Sequence, residues 1–404
     1  MKRIIHFTIL ILLLNLCFLF SPRPKPETNF CGEYIPINAY AGFIRNCDAN
    51  EFLESAISPS ALVRENYVRQ SRPLYVIAAS GIGYVIYYTS NLFTSEDLIG
   101  VEKSMYVAYV CLNFIILLFA LILFEKIILI LTKGEIPYVV ILLLSVFIAS
   151  NFMSKAFFWT AHQQMLAFLM PLLSIYISIH VIKGKSDMWL YVLFFLMGVG
   201  MLMYGSFLIL FGVFILQRCY AYYEERKITL QSVVFLAISC LIFFMPTVLW
   251  IWFLKYIGIE YYSHEVVRYH QLVWMTEALS ISAGTFVSAM YVNVIEFFKT
   301  IDKLYLFIGL LTITMFVRKI KTGIVFEWNR NSKLILLNLV CFGCFFIVLG
   351  YYANRLTFTL MPILLCLSVA NSGQMLRNKK NQVALLITVS IWHAVNVLSY
   401  GPFS

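Results

Sequence analysis

Residues 105–124 contain no charged side chain, and a helix of that length reaches across the hydrocarbon core of a bilayer. Long apolar stretches recur at 230–254 and 334–352. In lipid a backbone must satisfy its own hydrogen bonds, so only helices and closed barrels cross a membrane. Barrel strands alternate apolar and polar residues, whereas these runs are continuous, which excludes a barrel. Across the 404 residues, 61% are hydrophobic and 12% charged, more apolar surface than a soluble core can absorb. The chain therefore reads as an all-α, polytopic helical membrane protein.

The formal net charge of +10 does not point to nucleic acid, and no nucleic-acid partner is expected. Its lysines and arginines fall mostly in short clusters between apolar runs, as the positive-inside rule requires. Most cysteines lie inside apolar segments and read as small hydrophobes, Cys341 and Cys344 included. Cys31 and Cys47 differ: both fall in the first polar loop, where an oxidising compartment would allow them to pair.

Residues 1–20 read as an uncleaved first span with its N-terminus inside, because prolines rather than a small-residue cleavage site follow. Residues 21–104 then form an extracytoplasmic loop. Within it, 48–70 read as short amphipathic juxtamembrane helices interrupted at Ser58-Pro59, with Ser60 capping the second and Ala61, Leu62 and Val68 on the membrane surface. Residues 73–93 are apolar enough to span, yet the positions of later lysines favour a course along the outer leaflet. Central spans occupy 105–255, one of them 156–182, with a broken helix at Met203-Tyr204-Gly205-Ser206. A second large outer loop covers 256–303, and 304–404 holds the C-terminal spans. The total is about eleven spans.

This topology gathers the unusual polar residues on the outer side. They are Asp48 and Glu51 in the first loop, with Glu54 behind them; Arg72 before Pro73; and His162 near the start of a span. Tyr204 at the broken helix, His264, Glu265 and Arg268 in the second loop, and Arg355 complete the set. Ionisable groups near a membrane are costly and default to function. Blander readings stand beside this one: Asp48 as a helix cap, Arg72 snorkelling to head groups, and the His264 cluster as ordinary loop surface. His264 and Glu265 are the candidate ligands for a divalent metal ion, whose need is left open.

The arrangement resembles the GT-C superfamily of membrane glycosyltransferases, and within it the aminoarabinose transferases and protein O-mannosyltransferases. Asp48 occupies the place of their first-loop acid. Arg72-Pro73-Leu74-Tyr75 is similar to the Lys-Pro-Pro-Leu stretch that closes their juxtamembrane region. His162 stands where those enzymes often carry a second acid. Tyr204, in Gly198-Val199-Gly200-Met201-Leu202-Met203-Tyr204-Gly205, stands where they usually carry a lysine. Tyr351-Tyr352-Ala353-Asn354-Arg355-Leu356 is similar to a late Tyr-x-x-x-Arg-Leu pattern of lipid-sugar enzymes.

The resemblance implies an inverting transfer of a sugar from a polyprenyl-phosphate donor to a hydroxyl of a glycan, lipid or protein acceptor. Asp48 would be the general base and Glu51 its runner-up. Arg72, His162, Tyr204, His264, Arg268 and Arg355 would bind substrate or phosphate. The protein would sit in a bacterial inner membrane with its site facing the periplasm. The alternatives are a polysaccharide polymerase or ligase and a transporter of lipid-linked oligosaccharides.

Overall fold

The computed structural model describes residues 2–20, 32–36, 42–46, 48–92, 99–180, 187–224, 229–351, 353–373 and 375–399. Helix α1 (Lys2–Leu19) leads to a hairpin of β1 (Gly32–Pro36) and β2 (Gly42–Asn46), which pair antiparallel with Gly32 opposite Asn46. The juxtamembrane helix α2 (Asp48–Ile57) follows, then α3 (Pro73–Ser90), α4 (Val101–Leu131), α5 (Tyr138–Ala149), α6 (Phe152–Phe157) and α7 (Leu166–His180). Next come α8 (Asp187–Met201), α9 (Phe207–Glu224), α10 (Leu230–Tyr256) and the short α11 (His264–Tyr269), α12 (Val273–Ile281) and α13 (Ala283–Lys299). The chain continues through α14 (Tyr305–Thr322), α15 (Arg330–Leu349), α16 (Asn354–Thr357), α17 (Met361–Ser372) and α18 (Lys379–Leu398).

Among the described residues, six helical stretches are long and apolar enough to cross a membrane: Val101–Leu131, Gln163–His180, Leu230–Tyr256, Arg330–Leu349, Asn354–Ser372 and Lys379–Leu398. A seventh is the pair α13 and α14, bent by 48°. Three shorter apolar helices accompany them: Arg3–Leu19, Tyr138–Ala149 and Met188–Met201. The protein is thus a helical polytopic membrane protein. Helix α3 is outside the spanning set.

The helices form two compact units. Unit 1 comprises Met1–Pro59, Val76–Leu169 and Val369–Ser404. Here α1 packs against α5 and α18, and α4 against α5 and α2. Buried polar groups lock the ends of these helices. The Trp392 indole donates to the Ser150 carbonyl at 2.7 Å, and the Ser150 hydroxyl hydrogen-bonds His393 Nδ1 at 2.6 Å. The buried Lys155 ammonium donates to the carbonyls of Asn396 (2.8 Å) and Ser399 (2.7 Å) and to the Ser399 hydroxyl (3.1 Å). A cation at the end of α18 satisfies carbonyls that a helix terminus otherwise orphans.

Unit 2 comprises Ser60–Tyr75 and Met170–Ser368. Its α8 and α10 cross so closely that a Cβ on Gly198 would lie 2.0 Å from the Phe243 carbonyl oxygen. Small residues at such crossings let membrane helices approach. An amide network ties α7, α9 and α15 together: Ser174 donates to Asn338 Oδ1 (2.5 Å), and both Gln217 (2.7 Å) and Asn338 (3.2 Å) donate to Ser178 Oγ.

The expected helix break is present, with α8 ending at Met201 and α9 starting at Phe207. Three expectations are corrected. The span expected over 156–182 begins later, because α6 and a loop at 158–162 intervene. Ser60 lies inside a 3₁₀ turn, Pro59–Val63, rather than capping a second helix. Ala61 and Leu62 are buried, not laid on a membrane surface, because the Gln70 amide draws the turn inward by donating to the Leu62 and Arg64 carbonyls. Within 256–303, the stretch read as a second outer loop, the chain forms α11, α12 and α13. Cys31 and Cys47 lie outside the described residues.

Candidate active site

In unit 1, one face of α4 holds two chain segments in place. Tyr106, Tyr109 and Asn113 recur at helical spacing and so share that face. The Tyr109 hydroxyl donates to the Phe52 carbonyl of α2 at 2.9 Å. Asn113, fully buried, donates through Nδ2 to the carbonyls of Phe157 (3.1 Å), Phe158 (3.1 Å) and Thr160 (2.9 Å). Tyr106 donates to the Trp159 carbonyl at 2.6 Å. The loop between α6 and α7 is thereby fixed through its backbone, which buried amides require.

The two segments deliver Asp48 and His162 to each other. Asp48 opens α2, where a carboxylate suits the positive helix end. His162 caps the turn Gln163–Met165, its Nδ1 accepting the Gln164 backbone N–H at 3.1 Å. An accepting Nδ1 carries no proton, so the neutral ring bears its proton on Nε2. That nitrogen lies 3.5 Å from Asp48 Oδ2. The Phe52 and Phe157 rings flank the imidazole, with centroids at 5.5 and 4.7 Å. His162 is 6% exposed at its side chain and Asp48 37%, so the carboxylate faces outward and the imidazole supports it from behind. Glu51, in the first turn of α2, and Glu54 are exposed.

Unit 2 carries a cationic cluster organised by Gln70, which is buried. Besides the two carbonyls it reaches, its Oε1 accepts the Tyr262 N–H at 2.5 Å and its backbone carbonyl accepts the Trp250 indole N–H at 2.9 Å. The next residues take up Glu265. Arg72 Nη2 lies 2.6 Å from Glu265 Oε1, and the Ser71 hydroxyl donates to Oε2 at 3.1 Å. Burial alone would push the Glu265 carboxyl up, but Arg72, a backbone amide, Ser71 and Arg69 together hold it below its ordinary value. Burial, then Glu265, pushes the nearby Tyr261 hydroxyl up. The Leu74 N–H donates to the Leu202 carbonyl at 3.2 Å, docking this segment on the broken helix. Tyr204 is buried there, its ring centroid 6.0 Å from the Arg72 guanidinium carbon.

The structure therefore brings together Asp48 with His162, and Arg72 with Tyr204 and Glu265. His264 meets the Tyr262 hydroxyl at 3.3 Å. Arg268 is exposed, its guanidinium carbon 5.7 Å from the Tyr269 ring centroid. Arg355 is half-buried on α16, beside Asn354, which donates to Asp302 at 3.1 Å. Glu265 is engaged by Arg72 and Ser71, and among the described residues no three His, Cys, Asp or Glu side chains converge. Asn113 and Gln70 were not among the residues singled out from the sequence, although a lone amide in an uncharged apolar run is itself a signal.

The described helices and their order form a polytopic membrane fold that resembles one already solved. The likeness is to ArnT from Cupriavidus metallidurans, a GT-C aminoarabinose transferase, in its crystal structure bound to undecaprenyl phosphate. The TM-score is 0.51 at 12% sequence identity, and the match covers 96% of this chain and 63% of that one. The chain thus spans a little under two thirds of the protein it matches. The apo state of the same ArnT gives a TM-score of 0.47 at 11% identity, over 96% of this chain and 62% of that one. No family model matches the sequence, and comparison with curated proteins finds no match.

Proposed function

We propose that the protein transfers a sugar from a polyprenyl-phosphate donor to an acceptor hydroxyl, at the outer face of a bacterial inner membrane. The observation that carries this reading is the Asp48–His162 pair on a GT-C-like fold. The acceptor oxygen attacks the anomeric carbon as the bond from that carbon to the phosphate oxygen breaks. The acceptor proton passes to Asp48, and the bonding pair leaves with polyprenyl phosphate. A single displacement inverts the anomeric centre.

Asp48, rather than His162, is the base. The imidazole accepts at Nδ1 and presents Nε2–H, so it has no lone pair left for an incoming proton. It instead orients the carboxylate through Oδ2. The 3.5 Å separation exceeds a full hydrogen bond, and catalytic contacts commonly tighten when reactants bind. Glu51 is the exposed runner-up one turn further along α2.

The leaving phosphate needs positive charge. Arg72 supplies it in this reading, with Arg268 or Arg355 as a second guanidinium, since a planar fork matches phosphate oxygens. His264 and Tyr204 are polar neighbours on the same unit.

Transfer from a panel of undecaprenyl-phosphate sugars, measured with purified wild type and Asp48→Asn in lipid vesicles, tests the proposal. Wild type transfers, and the variant loses about 100- to 10,000-fold in rate at unchanged donor binding. Full activity of the variant would remove Asp48 from the chemistry and shift it to Glu51.

A further inference from the structure

We propose that Lys155 is a positioning residue for the Asp48–His162 pair: its ammonium pins α6 to the end of α18 and so fixes the direction in which the following loop presents His162. The inference rests on the reading of Asp48 as the base.

Every group involved lies in unit 1. Lys155 is 1% exposed and lies seven residues before His162. Asn113 grips the interval between them through the carbonyls of Phe157, Phe158 and Thr160, and the Thr160 carbonyl also accepts the His162 N–H at 2.8 Å. A single grip fixes a point and leaves α6 to pivot about it. A second grip, at Lys155, fixes an orientation. Trp392 and His393 extend that second grip to Ser150, beside the α6 cap Asn151.

The clamp uses the charged form of the lysine. Nζ has three acceptors, the carbonyls of Asn396 and Ser399 and the Ser399 hydroxyl, so all three N–H bonds of an ammonium are taken. A neutral amine has one N–H fewer and turns a lone pair toward the third acceptor. The acceptors are themselves neutral, and burial pushes the ammonium down to about 8. The described titratable side chains on this side are Cys17 of α1, close enough to act on the charge, and His393 of α18, bound at Ser150; His162 lies at the far end of the loop. The clamp therefore slackens above about pH 8. Stability moves the other way. A folded-state value below the ordinary 10.5 makes the fold relatively more stable as pH rises from about 8 to 10.5. A loss of rate in that window is not a loss of fold.

The test uses the full chain in lipid vesicles and reads transfer of an undecaprenyl-phosphate sugar, thermal unfolding and amide exchange between about pH 7 and about pH 10. In wild type, kcat falls about tenfold above about pH 8 with donor KM unchanged. Over the same window its unfolding temperature gains on that of Lys155→Met. Lys155→Met is about tenfold slower at every pH and lacks the alkaline limb. Ser399→Ala removes one acceptor and moves the limb to lower pH, which keeps the test open where Lys155→Met does not fold. Cys17→Ser keeps the limb. Exchange at the Phe158 and His162 amides, corrected for the intrinsic effect of pH, quickens in wild type across the window and needs no substrate. A limb that persists in Lys155→Met, stays put in Ser399→Ala or vanishes in Cys17→Ser would overturn the positioning role, as would unchanged exchange in wild type. Full activity of Asp48→Asn would instead overturn the base reading beneath it.

Discussion

His162 faces Asp48 through Nε2, 3.5 Å from Oδ2, while the Gln164 backbone amide occupies the other ring nitrogen at 3.1 Å. One backbone hydrogen bond thus sets the tautomer of a side chain that supports the proposed base. His162→Gln retains an N–H donor, and His162→Ala does not. We expect the alanine variant to lose about 100-fold in kcat and the glutamine variant about tenfold, with donor KM unchanged in both. Equal losses would mean that the ring only fills space.

Asn113 serves three carbonyls at once. Asn113→Ala removes the amide donor from all three, leaving Phe157 only the Thr160 hydroxyl, and destabilises unit 1 by about 3 kcal/mol. Asn113→Asp, which has no N–H to offer, is expected to be at least as damaging. Denaturant unfolding in mixed micelles checks both.

Gln70 acts as donor and acceptor together, so its two changes separate. Gln70→Glu replaces the N–H donors facing the Leu62 and Arg64 carbonyls with oxygens, whereas Gln70→Ala removes both functions. We expect the glutamate variant to speed amide hydrogen exchange at 62–64, because facing oxygens repel, while the alanine variant, which lacks the acceptor, speeds exchange at Tyr262. Unchanged protection at Tyr262 would argue against the clamp.

The ion pair at Glu265 has a definite pH signature. Its carboxyl is held below the ordinary value of 4.5, so it contributes stability that is fully present above that value. The contribution is lost as pH falls through the lower folded-state value. Thermal unfolding of wild type and Glu265→Gln should therefore differ at neutral pH and converge in acid. A constant gap down to strongly acidic pH would contradict the ion pair.

Much of this architecture was legible from single residues. The excess length of the apolar stretch 188–216 and its glycines announced the break near Tyr204, and the polar run after the first apolar segment announced α2. The pairings were not legible. Ser71 and Glu265 are 194 residues apart, and no local pattern links them. Ala61 and Leu62 looked like a membrane-surface stripe because their burial depends on Gln70, whose amide does its work at long range as well as locally. Asn113 sits in a stretch whose hydropathy alone argues for a span, and hydropathy does not say which carbonyls an amide will serve.

The buried Lys155 has a consequence for biosynthesis. Its acceptors at Asn396 and Ser399 emerge some 241 residues after it. At roughly 5–20 residues per second, the ammonium waits on the order of tens of seconds for them. Unit 1, with α18 among its helices, closes only when that helix has been inserted, whereas residues 170–368 of unit 2 are made in one uninterrupted stretch. Until then the lysine has to keep company with water or with another protein, which makes late insertion of α18 the step most exposed to quality control.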